Sequence, residues 1–341
     1  MDNTLIIGID VAKATFTAAT SWQRVVTYTG QFAQTTAARQ AFVADMVALA
    51  ALAGATAIHL IVEPTGGYEL AWQQEAYQQG WLVTRVNPGA VRLWGQSRGF
   101  RSKTDRRDAC LLAQFGAETN PAPQAPLPEE VSELNDLLRR QTDLEQLLRS
   151  ERNRQTRLTA LPRQTPAVTE SLRRTIEALE QELATINDAI RQLFVQQPVL
   201  KVQRDLLLTL PGVGAKTAPY LLVILHRYQV RTQGAGTLKG FAAFLGLDPQ
   251  LYDSGTSVHR RATISRQGDE VMRTKLYLGA LGGIRGANPL KAFYQSLLGR
   301  HKPKKLALVA CARKIAVWAW AVFTTGIAFD ASRFKKTAVA A

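Results

Sequence analysis

The spacing of apolar residues changes along this chain, and the change divides it into segments. Between residues 172 and 193 apolar side chains recur at intervals of four and three, which is the seam of a coiled coil over about three heptads. The seam consists of Leu172, Ile176, Leu179, Leu183, Ile186, Ile190 and Leu193. A leucine-rich helical stretch at 134–148 precedes it, so a helical hairpin is predicted over residues 126–198. Packing within the chain and an intermolecular coiled coil fit a seam of this length equally well.

Residues 1–125 have another pattern, with short apolar runs that contain many β-branched residues. Strands are predicted at residues 4–10, 15–19, 24–29, 57–62 and 81–86. Helices are predicted at residues 36–52, where Gly54 ends the helix, after Gly66-Gly67, after Pro88 and from Thr104. The order βββαβαβα predicts an α/β layer in which helices pack on a mixed sheet. The proline-rich stretch at 120–128 marks the boundary with the hairpin.

Positive charge is concentrated in the C-terminal segment, which is predicted to be mainly helical. The 341 residues contain 42 Lys and Arg against 27 Asp and Glu, for a net charge of +15. Residues 199–341 hold 22 of these basic side chains and only 6 of the acidic ones. Residues 1–125 hold 10 and 9. Such an excess favours a polyanionic partner, and nucleic acid is the first candidate.

The location expected from the residues is a reducing cytoplasm, without a membrane partner. The two cysteines, Cys110 and Cys311, are too few for a disulfide framework and are predicted to be core residues. The N-terminus does not resemble a secretory signal. The apolar run Ile315 to Phe329 is shorter than a membrane span and is predicted to form a buried core helix.

Four carboxylates stand at positions suited to a metal site. Asp10 ends the first predicted strand, Glu63 follows the fourth, and Asp105 and Asp108 share a face at the start of a helix. In an RNase H-like fold, which has this element order, the first and fourth strands are neighbours, so Asp10 and Glu63 would meet. Clustered oxygen ligands suit Mg²⁺ or Mn²⁺. Taken singly, each acid could equally be a helix cap or a surface charge, so the prediction depends on their combination.

Basic residues flank these acids in the sequence, as expected where a phosphate backbone approaches carboxylates. They are Arg92, Arg98, Arg101, Lys103, Arg106 and Arg107. Farther along, the turn at 210–218 resembles a helix-hairpin-helix element, in which Gly212, Gly214 and Lys216 would contact a nucleic-acid backbone. A tight connection between two helices is the alternative reading of this turn.

A hydroxyl-rich loop follows, at residues 252–261. Ser254, Thr256 and Ser257 are small nucleophile candidates, and Arg260 and Arg261 lie beside them to bind a phosphate. A plain turn rich in Ser and Gly fits the composition of this loop as well. The loop therefore gains functional meaning only from a wider pattern in the chain.

That wider pattern is a resemblance over nearly the whole chain to the DEDD transposases of bacterial insertion sequences, which are bridge-RNA-guided recombinases. The motifs that carry it are Ile7-Gly8-Ile9-Asp10, Glu63-Pro64-Thr65-Gly66-Gly67-Tyr68, Asn87-Pro88, Lys103-Thr104-Asp105-Arg106-Arg107-Asp108, Leu210-Pro211-Gly212-Val213-Gly214, Phe244-Leu245-Gly246-Leu247 and Ser254-Gly255-Thr256-Ser257. The resemblance implies a RuvC-like RNase H-fold catalytic domain at 1–125, a coiled-coil linker at 126–198 and a transposase domain at 199–341.

The resemblance also implies the chemistry. The four acids of the family fall on Asp10, Glu63, Asp105 and Asp108 as ligands of Mg²⁺, with Mn²⁺ as a substitute, and the nucleophilic serine falls on Ser254. Implied partners are donor and target DNA, a non-coding bridge RNA and further copies of the chain, in a dimer or tetramer with composite active sites. A junction-resolving nuclease that uses water and a non-enzymatic RNA- or DNA-binding protein are the alternatives.

Overall fold

The structure is a computed structural model that describes residues 3–100, 102, 104–254 and 258–334. The chain divides into two compact units. Unit 1 comprises residues 1–126 together with 230–234, and unit 2 comprises 127–229 together with 235–341. The helical segment predicted at 126–198 falls within unit 2, whereas the three-domain division stays a prediction.

Unit 1 is built on a five-stranded mixed sheet with the strand order β3-β2-β1-β4-β5. Its strands are β1 (Thr4–Val11), β2 (Thr15–Trp22), β3 (Val25–Ala33), β4 (Ala57–Val62) and β5 (Leu82–Arg85). The first three strands form an antiparallel meander, and β4 pairs in parallel with both β1 and β5. The predicted mixed sheet is confirmed, including the neighbouring positions of β1 and β4.

Helices cover both faces of this sheet. They are α1 (Thr36–Ala53), α2 (Glu69–Gln78), α3 (Pro88–Ser97) and α4 (Asp105–Thr119). The first of them ends at Gly54 in a left-handed conformation, as predicted. On the face of the sheet that α1 and α2 cover, aromatic rings from the sheet and from these two helices pack at centroid distances of 4.5 to 5.6 Å. These rings belong to Phe16, Phe32, Phe42 and Trp72.

The opposite face of the sheet receives α4 at very short range. An added Cβ at Gly8 of β1 would lie 2.5 Å from the Ala109 oxygen and 2.3 Å from the Ala113 nitrogen. An added Cβ at Gly116 would lie 2.7 Å from Ile6 and 2.6 Å from Ile61. Because the later turn of α4 lies over the earlier part of β1, the helix runs antiparallel to the strand. Its first turn therefore points toward the end of β1.

The proline-rich stretch docks along the edge of β5 instead of hanging free. The backbone N–H of Gln124 donates to the Val83 oxygen at 2.7 Å, and the Tyr77 hydroxyl donates to the Gln124 oxygen at 2.9 Å. Buried His59 of β4 hydrogen-bonds through Nε2 to Thr84 Oγ1 at 2.8 Å, and Thr84 Oγ1 donates to the Ala122 oxygen. Burial lowers the pKa of His59 to about 4.

Unit 2 begins with a helical hairpin, α5 (Glu129–Thr159) and α6 (Pro166–Gln196). Gln141 bonds Asn187 at 2.6 Å and Arg152 pairs with Glu180 at 2.6 Å, so the two helices run antiparallel. The predicted seam faces inward, since all seven of its residues are buried or half-buried. The hairpin prediction is confirmed, while an intermolecular coiled coil stays a prediction.

The remainder of unit 2 is a helical core with one β-hairpin. Its elements are α7 (Pro198–Leu208), α8 (Ala218–Arg231), α9 (Leu238–Phe244), β6 (Pro249–Ser254), β7 (Val258–Ile264), α10 (Glu270–Gly283), α11 (Pro289–Gly299), α12 (Lys304–Thr325) and α13 (Ala331–Phe334). The β-hairpin is absent from the sequence-based prediction. Its strands are short and hold polar residues among the apolar ones, so they lack the alternation that identifies a strand.

Two helices, α1 and α12, are long and apolar enough to cross a membrane by length and composition alone. More than half of the apolar window of α12 is buried, as expected for the predicted core helix, and Cys311 lies in this core. Burial raises the pKa of the Cys311 thiol to about 12 and also raises the pKa of Cys110. Both cysteines are therefore neutral thiols at physiological pH, which agrees with a packing role.

Gly8→Ala should destabilise the protein by about 3 kcal/mol, because the new methyl group meets helix backbone that cannot move aside. Gly282→Ala in α10 is the matched control. No atom lies within 4 Å of its added Cβ, so it should cost nothing or stabilise by up to about 1 kcal/mol. Urea unfolding of the two variants measures the difference. Equal unfolding midpoints would contradict the close packing of α4 on β1.

His59 should make the protein less stable as the pH falls. Its folded pKa of about 4 lies below the usual value of 6.5, so the unfolded chain takes up a proton first. The stabilisation is complete above pH 6.5 and is lost progressively toward pH 4, by about 3 kcal/mol in total. Unfolding free energies measured from pH 7 to pH 4 should fall less steeply for His59→Gln than for the parent. Parallel curves would show that His59 does not titrate in this way.

Candidate active site

Asp10 and Glu63 extend from neighbouring parallel strands on the same face of the sheet. In the register of β1 and β4, Ile9 pairs with Val62, and the two acids follow immediately. Side chains alternate along a strand, so Asp10 shares the face of Gly8, and Glu63 shares the face of Ile61. Both of those positions face α4. Asp10 and Glu63 are half-buried, and their strands are about 4.8 Å apart.

Asp108 is brought to this face by α4. The stripe of α4 that faces the sheet contains Ala109, Leu112, Ala113 and Gly116. Asp108 lies one turn before Leu112 on that stripe and is half-buried. Since the helix runs antiparallel to β1, its first turn lies toward the end of the sheet where Asp10 stands, and there it contacts β3 through Asp105 and Arg106. The structure thus places Asp10, Glu63 and Asp108 on one face of the sheet.

Asp105 is more remote from the other acids. It is exposed, and its Oδ2 accepts a hydrogen bond from Gln31 Nε2 at 3.3 Å. Gln31 pairs with Thr17, which pairs with Asp10, so Asp105 contacts β3, two strands away from Asp10. Thr104 caps the helix by accepting a hydrogen bond from the Arg107 N–H at 3.3 Å. This position suits a helix N-terminus as well as a supporting role in the site.

A divalent metal fits the donor chemistry of Asp10 and Glu63. Within the described part of the chain, no three His, Cys, Asp or Glu side chains cluster closely enough to hold a metal together. The predicted ligand set of Asp10, Glu63, Asp105 and Asp108 stays a prediction. Mg²⁺ commonly uses one or two carboxylates and completes its coordination with water and substrate phosphates. Two carboxylates on adjacent strands meet that requirement.

The predicted basic residues near the acids have different surroundings. Arg98 pairs with Glu118 at 2.5 Å and lies over the Trp94 ring at 5.5 Å. Arg106 lies over the Tyr28 ring at 4.6 Å. Arg92 and Arg107 are exposed. Arg101 and Lys103 lie outside the described residues.

In the turn at 210–218 of unit 2, one glycine packs against a neighbouring helix and another has free space around it. Gly212 has a φ of 88°, and an added Cβ there would lie 2.6 Å from the Gly279 oxygen of α10. Its backbone is thus packed against a helix, which makes it a structural residue of the turn. Gly214 has no atom within 4 Å of an added Cβ, and Lys216 is exposed and pairs with Glu145 at 3.2 Å.

Lys275 of α10 lies in the same region, and the sequence analysis did not identify it. Its Nζ lies 3.9 Å from the centre of the Tyr220 ring. Burial lowers the pKa of Lys275, with Glu145 acting in the opposite direction and Lys216 reinforcing the shift. A single lysine within an amphipathic helix gives no sequence signal, because its neighbours come from other helices.

Ser254 is the last residue of β6 and pairs with Val258 of β7. It therefore stands at the tip end of the β-hairpin. Residues 255–257, which include the alternative nucleophiles Thr256 and Ser257, lie outside the described part of the chain. Arg260 and Arg261 belong to β7. The choice of the reacting hydroxyl stays a prediction.

Comparison with known proteins shows the family to which this chain belongs. The profile of a transposase family, DEDD_Tnp_IS110, matches residues 7–161, and that of the transposase IS116/IS110/IS902 family matches residues 204–295. A pilin gene-inverting protein of Moraxella lacunata is 30% identical over 340 residues, which cover 95% of this chain and 97% of that protein. The pilin gene-inverting protein of Moraxella bovis matches with the same identity and coverage. A putative transposase of Sinorhizobium fredii is 34% identical over 122 residues, 34% of this chain and 30% of that protein. The chain belongs to the IS110 family of DEDD transposases.

Proposed function

We propose that this protein is an RNA-guided recombinase that cuts and rejoins DNA strands of an insertion sequence. Asp10, Glu63 and Asp108 act at the reacting phosphate, and Ser254 is the nucleophile. The observation that carries the proposal is the placement of half-buried Asp10 and Glu63 at the ends of adjacent parallel strands, on the face that α4 covers. Carboxylates on two adjacent strands are ligands of the kind that a divalent ion prefers, so their placement supports metal-assisted chemistry.

The carboxylates would orient the scissile phosphate. Asp10 and Glu63 would hold a divalent ion, Mg²⁺ or Mn²⁺, which when bound neutralises charge on the phosphate oxygens. Asp108 reaches the same face from α4, while exposed Asp105 supports the helix N-terminus beside it. The tight contact between α4 and β1 fixes these side chains relative to one another, as catalysis of this kind requires.

Ser254 would preserve the energy of the phosphodiester bond. Its Oγ loses its proton and forms a bond with phosphorus, while the bond from phosphorus to one sugar oxygen breaks and that oxygen takes up a proton. The sugar hydroxyl of a second strand then attacks the phosphoserine, loses its proton and releases Ser254. The strand is rejoined without ATP because each bond broken is replaced by one of the same kind.

Rejoining separates this proposal from a junction-resolving nuclease. The two Moraxella relatives carry the name pilin gene-inverting protein. Inverting a DNA segment requires every cut end to be joined again, whereas a nuclease that uses water leaves free ends. A similarity that spans 95% of the chain therefore favours recombination over simple cleavage or binding.

The proposed partners are donor DNA, target DNA and a non-coding bridge RNA that pairs with both. Base pairing supplies sequence choice in such systems, so the protein needs mainly backbone contacts. Unit 2 offers them through Gly214, Lys216, Arg260 and Arg261, and unit 1 offers Arg92 and Arg107. A homo-oligomer would combine acids and serines from different copies, acting in the cytoplasm at the nucleoid.

Asp10→Asn should lower strand exchange by at least about 100-fold, because a neutral side chain no longer orients the charged phosphate. Its melting temperature should stay close to the parental value, since asparagine has nearly the same size and shape and residue 10 is only half-buried. Asp45→Asn, an exposed acid on α1, is the matched control and should keep full activity. Recombination of a plasmid substrate and a thermal melt provide the measurements. Parental activity in Asp10→Asn would exclude Asp10 from the site.

Ser254→Ala should abolish covalent attachment of the protein to DNA, because no hydroxyl remains at that position to form the phosphoserine. If oligomers share active sites, mixing Ser254→Ala with Asp10→Asn should restore part of the cleavage that neither shows alone. Denaturing gels of labelled DNA, with and without RNA transcribed from the flanks of the gene, measure both. Continued attachment in Ser254→Ala would assign the reaction to another residue, and absence of rescue would indicate an active site within one copy.

A further inference from the structure

Glu69, the first residue of α2, is a carboxylate buried in unit 1 that the proposed chemistry does not use. Only 3% of its surface is exposed. Its Oε2 accepts hydrogen bonds from the backbone N–H groups of Thr65 and Gly67, each at 2.9 Å. Burying a carboxylate costs free energy of folding unless its oxygens accept hydrogen bonds. These two bonds therefore stabilise Glu69 in its buried position and tie it to the 65–67 backbone.

The second oxygen of Glu69 connects the same turn to the sheet. Oε1 lies 3.7 Å from Nη1 of Arg85, at the end of β5. Arg85 pairs in register with Val62, the residue immediately before Glu63. The carboxylate is therefore held between the turn that follows Glu63 and the strand beside it.

The turn needs this support because its backbone is unusual. Gly66 and Gly67 have φ values of 65° and 104°, which side chains rarely tolerate. Thr65 Oγ1 donates a hydrogen bond to the backbone carbonyl oxygen of Glu63 at 3.3 Å. The position of Thr65 therefore affects the backbone of Glu63. On the outer side, Gln34 Nε2 donates to the Tyr68 oxygen at 3.3 Å.

We infer that Glu69 is a positioning residue that keeps the Glu63 carboxylate on the α4 face of the sheet. Glu69 is too buried to reach a nucleic acid, and it acts through the Thr65 and Gly67 N–H groups. Without these bonds the 63–68 turn gains freedom directly beside Glu63. A displacement of about 1 Å at such a site costs on the order of 100-fold in rate. The inference rests on the proposed role of Glu63 in strand exchange.

The experiment compares Glu69→Ala with Glu69→Gln in the full-length protein. Alanine removes both hydrogen bonds, whereas the amide oxygen of glutamine can still accept them. Glu75→Ala is the matched control. Glu75 lies on the same helix and pairs with Arg39 at 2.9 Å, away from the turn. This control removes a partly buried carboxylate from α2 without touching the support of Glu63.

Strand exchange by Glu69→Ala should fall roughly 30- to 100-fold with unchanged DNA affinity, and half-maximal activity should need about tenfold more Mg²⁺. Glu69→Gln should stay within about threefold of the parent, as should Glu75→Ala. Hydrogen exchange without metal or DNA gives an independent readout. The Thr65 and Gly67 amides should lose protection in Glu69→Ala and keep it in Glu69→Gln and Glu75→Ala.

Parental exchange rates and amide protection in Glu69→Ala would overturn the inference. So would equal losses in Glu69→Ala and Glu75→Ala, which would reveal a general loss of stability, or a glutamine variant that behaves like alanine. Glu63→Gln, measured in parallel, separates this inference from the proposed function. An active Glu63→Gln would refute the role of Glu63 itself. An inactive Glu63→Gln beside a fully active Glu69→Ala would refute only the positioning role.

Discussion

The contact between α4 and β1 is the constraint on which the candidate site depends. Gly8 lets the backbone of α4 approach the strand so closely that a methyl group does not fit between them. Gly116, which lies later in α4, makes a second close approach to the sheet. Two such contacts fix both the direction and the height of α4 over the sheet. Backbone packing of α4 on the sheet therefore brings Asp108 to the face that carries Asp10 and Glu63.

Neutral side chains pack α4 against the face of the sheet that carries Asp10 and Glu63. Beneath the acids, the α4 interface consists of small and aliphatic residues. Glu69 is handled differently, since backbone N–H groups and Arg85 satisfy its charge. Acids that would react are thus left half-exposed on a rigid surface, whereas the acid that shapes the neighbouring turn is enclosed.

The sequence predicted those parts of the structure that depend on local pattern. The element order of unit 1, the Gly54 helix end and the α5–α6 hairpin follow from hydrophobic period and turn residues. Contacts between distant segments gave no such signal. The packing of Gly212 on Gly279, the Lys275–Tyr220 contact and the hydrogen bonds of Glu69 each join residues whose proximity arises only in the folded chain. The β6–β7 hairpin was missed because polar side chains interrupt the alternation of apolar and polar residues that identifies a strand.

Positive charge is distributed unevenly along this chain. Residues 1–125 carry 10 basic and 9 acidic side chains, so they offer a polyanion almost no net attraction. Residues 199–341 carry 22 and 6, enough to supply the binding energy through counterion release. Under the proposed function, affinity and phosphate orientation would therefore depend on different parts of the chain. In the proposed function, this division would let the fold of residues 1–125 position the acids without also supplying most of the affinity for nucleic acid.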